Sequence, residues 1–247
     1  MGGIVTGDLA PMSERLAIVR QRVADAAKRS GRSAGNVQIV AVSKFHPVEA
    51  VREAVACGQR VFGENYAQNL EKRRVDLADL PTLEWHFIGH LQTNKAKLIA
   101  QSADVVETLD NVSVVRALAK RLEWVDEQAG EVVRARMKVL IEVNVAAEPQ
   151  KHGASPVDLA ELIDAVLAEK TLDLRGLMTI GPNGSLDDAR RVFESLATIR
   201  NLHQRMAPLP ELSMGMSSDL EAAIECGSTM VRVGTAIFGD RPAKDEA

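Results

Sequence analysis

The sequence predicts a protein of the α/β class: a single-domain (β/α)8 TIM barrel with an extra N-terminal helix and no C-terminal β domain. Eight strand-like segments alternate with helix-like segments along 247 residues. Several of these strands are continuously apolar, which is typical of parallel strands buried on both faces. No linker rich in proline or glycine divides the chain. An open doubly wound sheet is the alternative, but no G-x-G-x-x-G motif follows the first strand.

An amphipathic helix is expected first, from Ser13 as its N-cap to Arg29, with Gly31 closing it. Little sequence follows the eighth strand, so we expect this N-terminal helix to cover the last gap of the barrel. The chain then divides into a flexible tail over 1–10, a barrel domain over 11–240 and a C-terminal tail over 241–247.

The strand candidates are rich in valine, isoleucine and other apolar residues, and they lie at 38–44, 60–65, 84–90, 104–110, 138–145, 174–180, 211–216 and 230–239. Pro47 is typical of a helix start after the first of them. Ser155 and Pro156 offer a cap and a first-turn proline for the helix after the fifth. Apolar residues also repeat at helical spacing between Asp187 and Arg205.

Composition and charge exclude several classes of function. The net charge is −4 and no basic stripe carries interleaved aromatics, so neither nucleic acid nor a membrane is expected as a partner. No apolar run approaches the ~18 residues of a membrane span. Cys57 and Cys226 each precede a glycine, as at a helix end. Two such cysteines predict no disulfide and no metal site, and they indicate a reducing, cytoplasmic location.

Functional residues of such barrels lie at the carboxyl ends of the strands. Lys44 ends the first strand, and residue alternation places it on the same face as Val40 and Val42, toward the apolar interior. Burial disfavours the ammonium form and lowers the pKa of a lysine, which leaves an amine suited to a Schiff base with an aldehyde. The alternative is a strand-end lysine whose amine reaches solvent.

A phosphate site is indicated after the last two strands. Ser218 and Glu221 match the capping box S-x-x-E, and the N–H groups of that helix start, with the Ser217 hydroxyl, suit an anion. Gly234 and Thr235 add a close backbone approach and a hydroxyl. Routine capping and a routine turn are the alternatives for each motif alone. Beside a strand-one lysine, the set points to an aldehyde that carries a phosphate, namely pyridoxal 5′-phosphate (PLP).

Five sequence segments resemble the pyridoxal-phosphate homeostasis proteins, relatives of the barrel domain of alanine racemase: AVSK, FGENY, EWHFIGHLQTNK, RGLMTI and LSMGMSSDLEAAIECGSTMVRVGTAIFG. The resemblance covers residues 37–240, and its last segment is highly specific. It implies that Lys44 holds PLP as an internal aldimine. It further implies that Asn65 lines the pocket and that Arg232 lies against the pyridine nitrogen. The implied phosphate contacts are Ser217, Gly234 and Thr235, with Ser218 as a further candidate.

The resemblance also implies a carrier or regulator in intracellular PLP homeostasis, with PLP-dependent apo-enzymes as candidate partners, rather than an enzyme with substantial turnover. A racemase-like enzyme of low activity is the alternative, and a Schiff-base aldolase acting on a phosphorylated sugar is a third. Arg232 is a donor only, so it can bond the ring nitrogen without protonating it, which weakens the ring as an electron sink.

The second base of a racemase is not evident in the sequence. Alanine racemase supplies a tyrosine from an additional C-terminal domain of a partner subunit, whereas this chain ends at Ala247, directly after the barrel. Its single tyrosine, Tyr66, is expected to pack in the loop after the second strand. The lack of a swapped domain favours a monomer.

Other polar residues near the strand ends have weaker signals. His86 and His90 share parity on the third strand, so both are expected to face the interior, as structural histidines in preference to a general base. Lys95, a second candidate amine, is expected to be solvated. Residues 150–153 are expected to form the loop after the fifth strand and to cover the pocket mouth. Asn144 and Met178 also end strands.

Overall fold

The structure is a computed structural model that describes residues 10–129, 135–182 and 184–240. Its strands are β1 (Gln38–Val42), β2 (Val61–Glu64), β3 (Glu84–Phe87), β4 (Val105–Leu109), β5 (Met137–Glu142), β6 (Leu172–Met178), β7 (Glu211–Ser213) and β8 (Met230–Val233). Its helices are α1 (Met12–Arg29), α2 (Val48–Ala56), α3 (Ala67–Asp76), α4 (Ala96–Ser102), α5 (Val112–Ala129), α6 (Leu159–Leu167), α7 (Leu186–His203), α8 (Leu220–Glu225) and α9 (Thr235–Phe238). None of these helices, within the part of the chain described, has the length and apolar character needed to cross a bilayer. Apart from Ala10, the two expected tails lie outside the described residues.

The eight strands form one closed parallel barrel in sequence order, and β8 pairs back onto β1. In this closing pair Ile39 lies opposite Val231, and Val40 lies opposite Arg232. The predicted (β/α)8 barrel is therefore confirmed. The open doubly wound alternative is wrong, because an open sheet would leave its first and last strands unpaired. Closure removes both sheet edges and gathers the carboxyl ends of all the strands at one mouth.

The N-terminal helix α1 fills the space beside the short α9, as predicted. It packs against α8, α9 and α2, and Leu16, Val19 and Val23 are buried because they recur on one face of the helix. Elsewhere on α1, Arg22 binds Glu221 of α8 through hydrogen bonds of 2.6 and 2.9 Å. α1 thus completes the helical ring outside the strands.

The start of α1 differs from the prediction. Pro11, not Ser13, is its N-cap, because the N–H groups of Glu14 and Arg15 bond to the Pro11 carbonyl. Proline also fixes an extended backbone angle that suits the residue before a helix. The closure of α1 by Gly31, which has φ +67°, is confirmed.

The start of α6 also lies later than predicted. Ser155 and Pro156 belong to a turn in which the Asp158 N–H bonds to the Ser155 carbonyl, and the helix begins at Leu159. The Ser155 hydroxyl accepts a 3.3 Å hydrogen bond from the Val157 N–H within this turn, before the helix begins, so it does not cap the helix. The predicted helix start directly after Pro47 is confirmed.

Both cysteines lie at helix ends, as predicted. Cys57 follows α2 and Cys226 follows α8, and each precedes a glycine of positive φ, Gly58 at 85° and Gly227 at 99°. Glycine adopts this left-handed conformation without strain. Both thiols are free.

Candidate functional site

A cavity of about 550 Å³ opens at the carboxyl ends of the strands. It is lined by all seven residues that the sequence predicts as cofactor contacts: Lys44, Asn65, Ser217, Ser218, Arg232, Gly234 and Thr235. These residues belong to β8 or to the segments that follow β1, β2, β7 and β8. The fold therefore brings together groups that the sequence places at separate strand ends.

Lys44 lies two residues beyond β1, in a turn closed by a 3.1 Å hydrogen bond from the His46 N–H to the Ser43 carbonyl. Phe45 in this turn has φ +68°, a conformation that costs a non-glycine residue roughly 1–3 kcal/mol and is often kept at functional sites. The side chain of Lys44 is half-buried and lines the cavity beside Val42. The predicted place of Lys44 at the barrel mouth is therefore confirmed, although the strand from which its interior orientation was predicted ends two residues earlier.

Glu64, the last residue of β2, is a buried carboxylate within electrostatic reach of Lys44. It accepts hydrogen bonds from Ser43 Oγ at 2.7 Å and from Arg73 Nε at 3.2 Å. Burial raises the pKa of Glu64, although the Ser43 hydrogen bond and the charges of Arg73 and Lys44 oppose this rise. Sequence reasoning missed Glu64, and its place directly before Asn65 in the segment FGEN is the signal that points to it.

The cavity wall after β7 and β8 carries hydroxyl groups and a helix start. α9 begins at Thr235, directly after Gly234. The Ser217 hydroxyl accepts a 3.3 Å hydrogen bond from the Ala236 N–H in the first turn of this helix. Ser217, Gly234 and Thr235 thus meet on one side of the cavity, at the loops where barrels commonly hold a phosphate.

The predicted capping box of Ser218 and Glu221 is wrong. α8 begins at Leu220 with Asp219 as its N-cap. The Glu221 carboxylate is taken by the paired hydrogen bonds from Arg22 of α1, and a two-point guanidinium contact is stronger than a single bond to a backbone N–H. Ser218 nevertheless lines the cavity, so its candidate role as a cofactor contact does not depend on the cap.

A chain of hydrogen-bonded side chains runs through the barrel beneath the cavity; we call it the interior polar row, and it consists of Arg232, Ser213, Glu107, His86 and Glu84. Arg232 Nη1 donates to Ser213 Oγ at 2.6 Å, and that hydroxyl donates to Glu107 Oε2 at 2.5 Å. His86 contacts Glu107 through Nδ1 at 2.6 Å and Glu84 through Nε2 at 2.9 Å. The interiors of (β/α)8 barrels are usually filled by branched apolar residues. A row of charged and polar side chains in this place therefore indicates a specific function for it.

Charges alternate along the interior polar row. Burial alone would lower the pKa of His86, but its hydrogen bonds with Glu107 and Glu84 raise the pKa to about 9. The imidazole is therefore protonated at neutral pH and donates from both nitrogens. Its hydrogen bond lowers the pKa of Glu84 to about 2. Burial alone would raise the pKa of Glu107, but His86 and Arg232 hold it below its ordinary value.

Arg232 reaches the cavity as a fixed, donor-only cation. Besides its bond to Ser213, it donates from Nη2 to the Thr179 carbonyl at 2.8 Å, and two contacts fix the plane of a guanidinium. Burial lowers the pKa of Arg232, yet a guanidinium stays protonated in proteins. Its position in β8 and on the cavity wall suits a hydrogen bond to a ring nitrogen.

Asn65 offers the cavity an unsatisfied acceptor. Its Oδ1 is buried and has no hydrogen-bond partner in the described chain, which is the kind of group that a ligand donor satisfies. Apolar side chains complete the lining: Val42, Ile88, Ile180 and Met216. The set fits PLP, because it combines an amine for an aldehyde, hydroxyls for a phosphate, a cationic donor for the ring nitrogen and apolar surface for the ring.

His46 also lines the cavity, and sequence reasoning did not single it out. Its ring stacks on Phe238 of α9 with the centroids 5.1 Å apart. Burial, followed by the charges of Arg73 and Arg15, lowers the pKa of His46, so the ring is neutral at neutral pH. Its place two residues after Lys44, in the segment KFHP, is the signal that points to it.

The two histidines of the third strand lie in different surroundings. His86 is buried and satisfied by hydrogen bonds, so its interpretation as a structural histidine is confirmed. His90 is exposed at the mouth, and its predicted place in the interior is wrong because β3 ends at Phe87. The chain turns at Gly89, where a Cβ atom would lie 1.9 Å from the Asn65 carbonyl oxygen.

Four other predicted residues lie outside this cavity. Tyr66 is 48% exposed and packs on Phe45 with ring centroids 5.7 Å apart, which confirms its packing role. Lys95, expected to be solvated, is half-buried in a 3₁₀ turn before α4. Met178 is buried inside the barrel beside other apolar residues. Asn144 holds the loop after β5, with its Nδ2 donating to the Glu148 carbonyl at 2.8 Å.

The loop at 150–153 follows β5, as predicted, and lines a second cavity of about 180 Å³. Ile180 lines both cavities, so they adjoin. Glu142 lines this smaller cavity as well, and burial raises the pKa of Glu142 to about 7. The mouth of the barrel therefore has two compartments of different chemistry.

The chain resembles known proteins along most of its length. Residues 15–242 match the family model described as "Alanine racemase, N-terminal domain". The closed barrel, with Lys44 shortly after its first strand, is consistent with this class of protein. Two curated relatives carry the name "Pyridoxal phosphate homeostasis protein". The one from Vibrio cholerae is 41% identical over 90% of this chain and 93% of its own, and the one from Escherichia coli strain K12 is 42% identical over 93% and 97%. PipY of Synechococcus elongatus PCC7942, solved with PLP bound, has a TM-score of 0.79 at 35% identity over 92% of this chain and 100% of its own. This chain belongs to the pyridoxal phosphate homeostasis protein family.

Proposed function

We propose that this chain binds PLP covalently through Lys44 and acts as a carrier or regulator in intracellular PLP homeostasis. The observation that carries the proposal is the single cavity in which all seven predicted contacts meet around a half-buried lysine. Support also comes from the family name and from the PLP-bound structure of PipY, which shares 35% of its sequence with this chain.

Each wall of the cavity provides a partner for one part of the cofactor. The Lys44 amine would hold the cofactor through its aldehyde group. Arg232 would donate a hydrogen bond to the ring nitrogen, and Asn65 would line the pocket beside the ring. The phosphate is held by the hydroxyl-bearing wall, which comprises Ser217, Ser218, Gly234 and Thr235. When bound, PLP supplies an electrophilic carbon and an electron sink.

The residues around the cavity favour storage over turnover. Arg232 donates to the ring nitrogen without protonating it, so the ring is a weaker electron sink. Tyr66, the single tyrosine of the chain, packs on Phe45 and does not line the cavity, so it does not provide a racemase-type second base. We therefore propose that the chain stores PLP and releases it to PLP-dependent apo-enzymes.

The covalent step is tested by the absorbance spectrum of the purified protein, followed by borohydride reduction and peptide mass mapping. We expect an absorbance band near the visible edge and a reduced adduct on Lys44. Lys44→Ala should remove both while the circular-dichroism spectrum stays unchanged. Lys95→Ala is the matched control, because Lys95 is also half-buried but lies outside the cavity. A colourless protein that cannot be reconstituted with PLP would overturn the proposal.

The carrier role is tested against the racemase alternative with the holoprotein. We expect no exchange of the α-proton of added L-alanine into deuterated water, and activation of a PLP-dependent apo-enzyme that receives the cofactor. Exchange that depends on Lys44 would instead establish the enzyme. Failure of the holoprotein to activate the apo-enzyme would contradict the carrier role.

A further inference from the structure

Three side chains from three different loops meet at the barrel mouth. His90 follows β3, Asp110 follows β4, and His152 lies in the loop after β5. Their ligand-type nitrogen and oxygen atoms all lie within 4.8 Å of one another. His90 Nδ1 is 3.3 Å from Asp110 Oδ2, and the rings of His90 and His152 stack with centroids 3.7 Å apart.

The backbone around His152 is held closely against the end of β5. Gly153 has φ +113°, and a Cβ atom there would lie 2.7 Å from the Asn144 N atom. The Ala154 N–H bonds to the Glu142 carbonyl at 2.7 Å, and the Asn144 N–H bonds to the Ala154 carbonyl at 2.9 Å. His152 thus lies on a segment fixed by backbone pairing, although its own side chain is exposed.

The other two members are held in comparable ways. Asp110 is largely buried, with 9% of its side chain exposed, and its Oδ1 accepts a 2.7 Å hydrogen bond from Asn111 Nδ2. This bond leaves Oδ2 on the side of His90. The carbonyl of Gly89, which precedes His90, accepts a 2.6 Å hydrogen bond from Thr108 Oγ1. The Asn111 hydrogen bond orients the Asp110 carboxylate, as supporting hydrogen bonds do at metal sites, and the Thr108 hydrogen bond holds the backbone directly before His90.

The donor set is chemically selective. Two imidazoles and one carboxylate are ligands for zinc and neighbouring first-row divalent ions, and three protein ligands leave a position open for water. Two further carboxylates lie nearby, because the groove that Asp110 lines is also lined by Asp158 and Glu161. Parallel rings do not aim their nitrogens at one point, so one imidazole must rotate to bind. The exposure of both histidines gives room for this rotation.

We propose that His90, Asp110 and His152 form a binding site for a divalent transition-metal ion of the zinc class. A bound ion would join the loop after β5 to the ends of β3 and β4. The site would lie beside the second cavity, which His152 lines, and apart from the residues that surround Lys44. Sequence spacing does not reveal it, because its members come from three separate loops.

The experiment is calorimetric titration of Zn²⁺ into the full chain after dialysis against a chelator. We expect saturable binding of one ion per chain and a rise in Tm, since an ion that binds the native state stabilises it. His152→Asn and Asp110→Asn should each weaken binding by roughly tenfold or more, as loss of even supporting groups at metal sites does. His203→Asn is the control, because its Nδ1 bonds to the Ile199 carbonyl of its own helix.

Two results would overturn the proposal. One is the absence of saturable binding in the unsubstituted chain. The other is an unchanged dissociation constant in His152→Asn, which keeps its fold because the side chain is exposed. The PLP absorbance band is recorded in the same samples. Its presence with no Zn²⁺ binding would reject only the metal site, and Zn²⁺ binding by a chain that does not take PLP would reject only the proposed function.

Discussion

Outside the strands, the helices pack on an apolar layer whose largest buried side chains include Phe62, Trp85 and Phe193. Inside the strands, one small apolar cluster comprises Val105, Leu140 and Met178, and the interior polar row crosses the same space. The same strands build both layers, because successive side chains point to opposite faces. Trp85 and His86, adjacent in β3, are both buried, one in each layer.

The difference indicates that the two layers have different roles, one in stability and the other in holding Arg232 at the cavity. Burial of apolar surface stabilises the outer layer without regard to direction. The interior polar row, by contrast, consists of directional bonds that end on Arg232 at the cavity wall. Buried ionic groups add little net stability over apolar ones. We therefore expect changes in the row to affect both stability and PLP retention, and changes in the outer layer to affect stability alone.

The largest effect is expected from Glu107→Ala. Removal of this carboxylate leaves the protonated His86 and Arg232 buried without their shared partner, which costs about 3–5 kcal/mol of unfolding free energy. Urea denaturation measures the loss, and the absorbance band of the holoprotein should weaken because Ser213, which binds Arg232, loses the carboxylate that orients its hydroxyl. Glu107→Gln keeps the shape of the side chain and removes its charge. Its unfolding free energy should lie between those of the unsubstituted chain and Glu107→Ala. A loss below about 1 kcal/mol, the usual value of an exposed ion pair, would refute a structural role for the row.

The next effect is expected in the outer layer, from Leu118→Ala in α5. Leu118 is fully buried in the apolar cluster outside the strands, so truncation should cost about 2–5 kcal/mol through lost burial and a cavity. PLP content per folded chain should not change, because Leu118 does not line the cofactor cavity. A parallel loss of PLP at temperatures where the chain stays folded would contradict the division between the layers.

A third effect concerns pH and the interior polar row. The pKa of His86 lies at about 9 in the folded chain against an ordinary 6.5. Because the folded pKa is raised, the stabilising contribution is complete below about pH 6.5 and is lost as the pH rises through 9. The shift corresponds to about 3 kcal/mol. The unfolding free energy of the unsubstituted chain should therefore fall across this interval more steeply than that of His86→Gln. Parallel curves would show that His86 titrates normally.

Much of the fold and the cofactor cavity could be predicted from local signals. Continuous apolar strands, helix-opening Pro47 and the glycines that close helices act through neighbouring residues, so the sequence alone exposes them. The strand-end position of Lys44 and its parity with Val42 follow from the same local rule, and the structure places both on the cavity wall. Alternation also predicted His86 inside the barrel.

The features that were missed or wrong depend on contacts between distant parts of the chain. Ser213 and Glu107 are separated by 106 residues, and only the register of a closed barrel brings them together. Glu221 matched a local capping motif, but Arg22, 199 residues away, binds its carboxylate. His90 was predicted to lie on the third strand, but the strand ends at Phe87 and the chain turns at Gly89. Local patterns carry no information about such competition.

The smallest effect is expected from Thr235→Val at the cavity mouth. Valine keeps the shape of threonine and removes one hydroxyl, and a hydrogen bond to a charged group contributes about 1.5–3 kcal/mol. PLP affinity, measured by dialysis and absorbance, should therefore weaken about tenfold or more, with the covalent attachment to Lys44 retained. Thr235→Ser, which keeps the hydroxyl, should retain the affinity of the unsubstituted chain. The urea midpoint should not move in either variant, because Thr235 belongs to neither layer. Unchanged affinity in Thr235→Val would remove this residue from the phosphate wall, and a shifted midpoint would show that cavity and fold are not separable at this position.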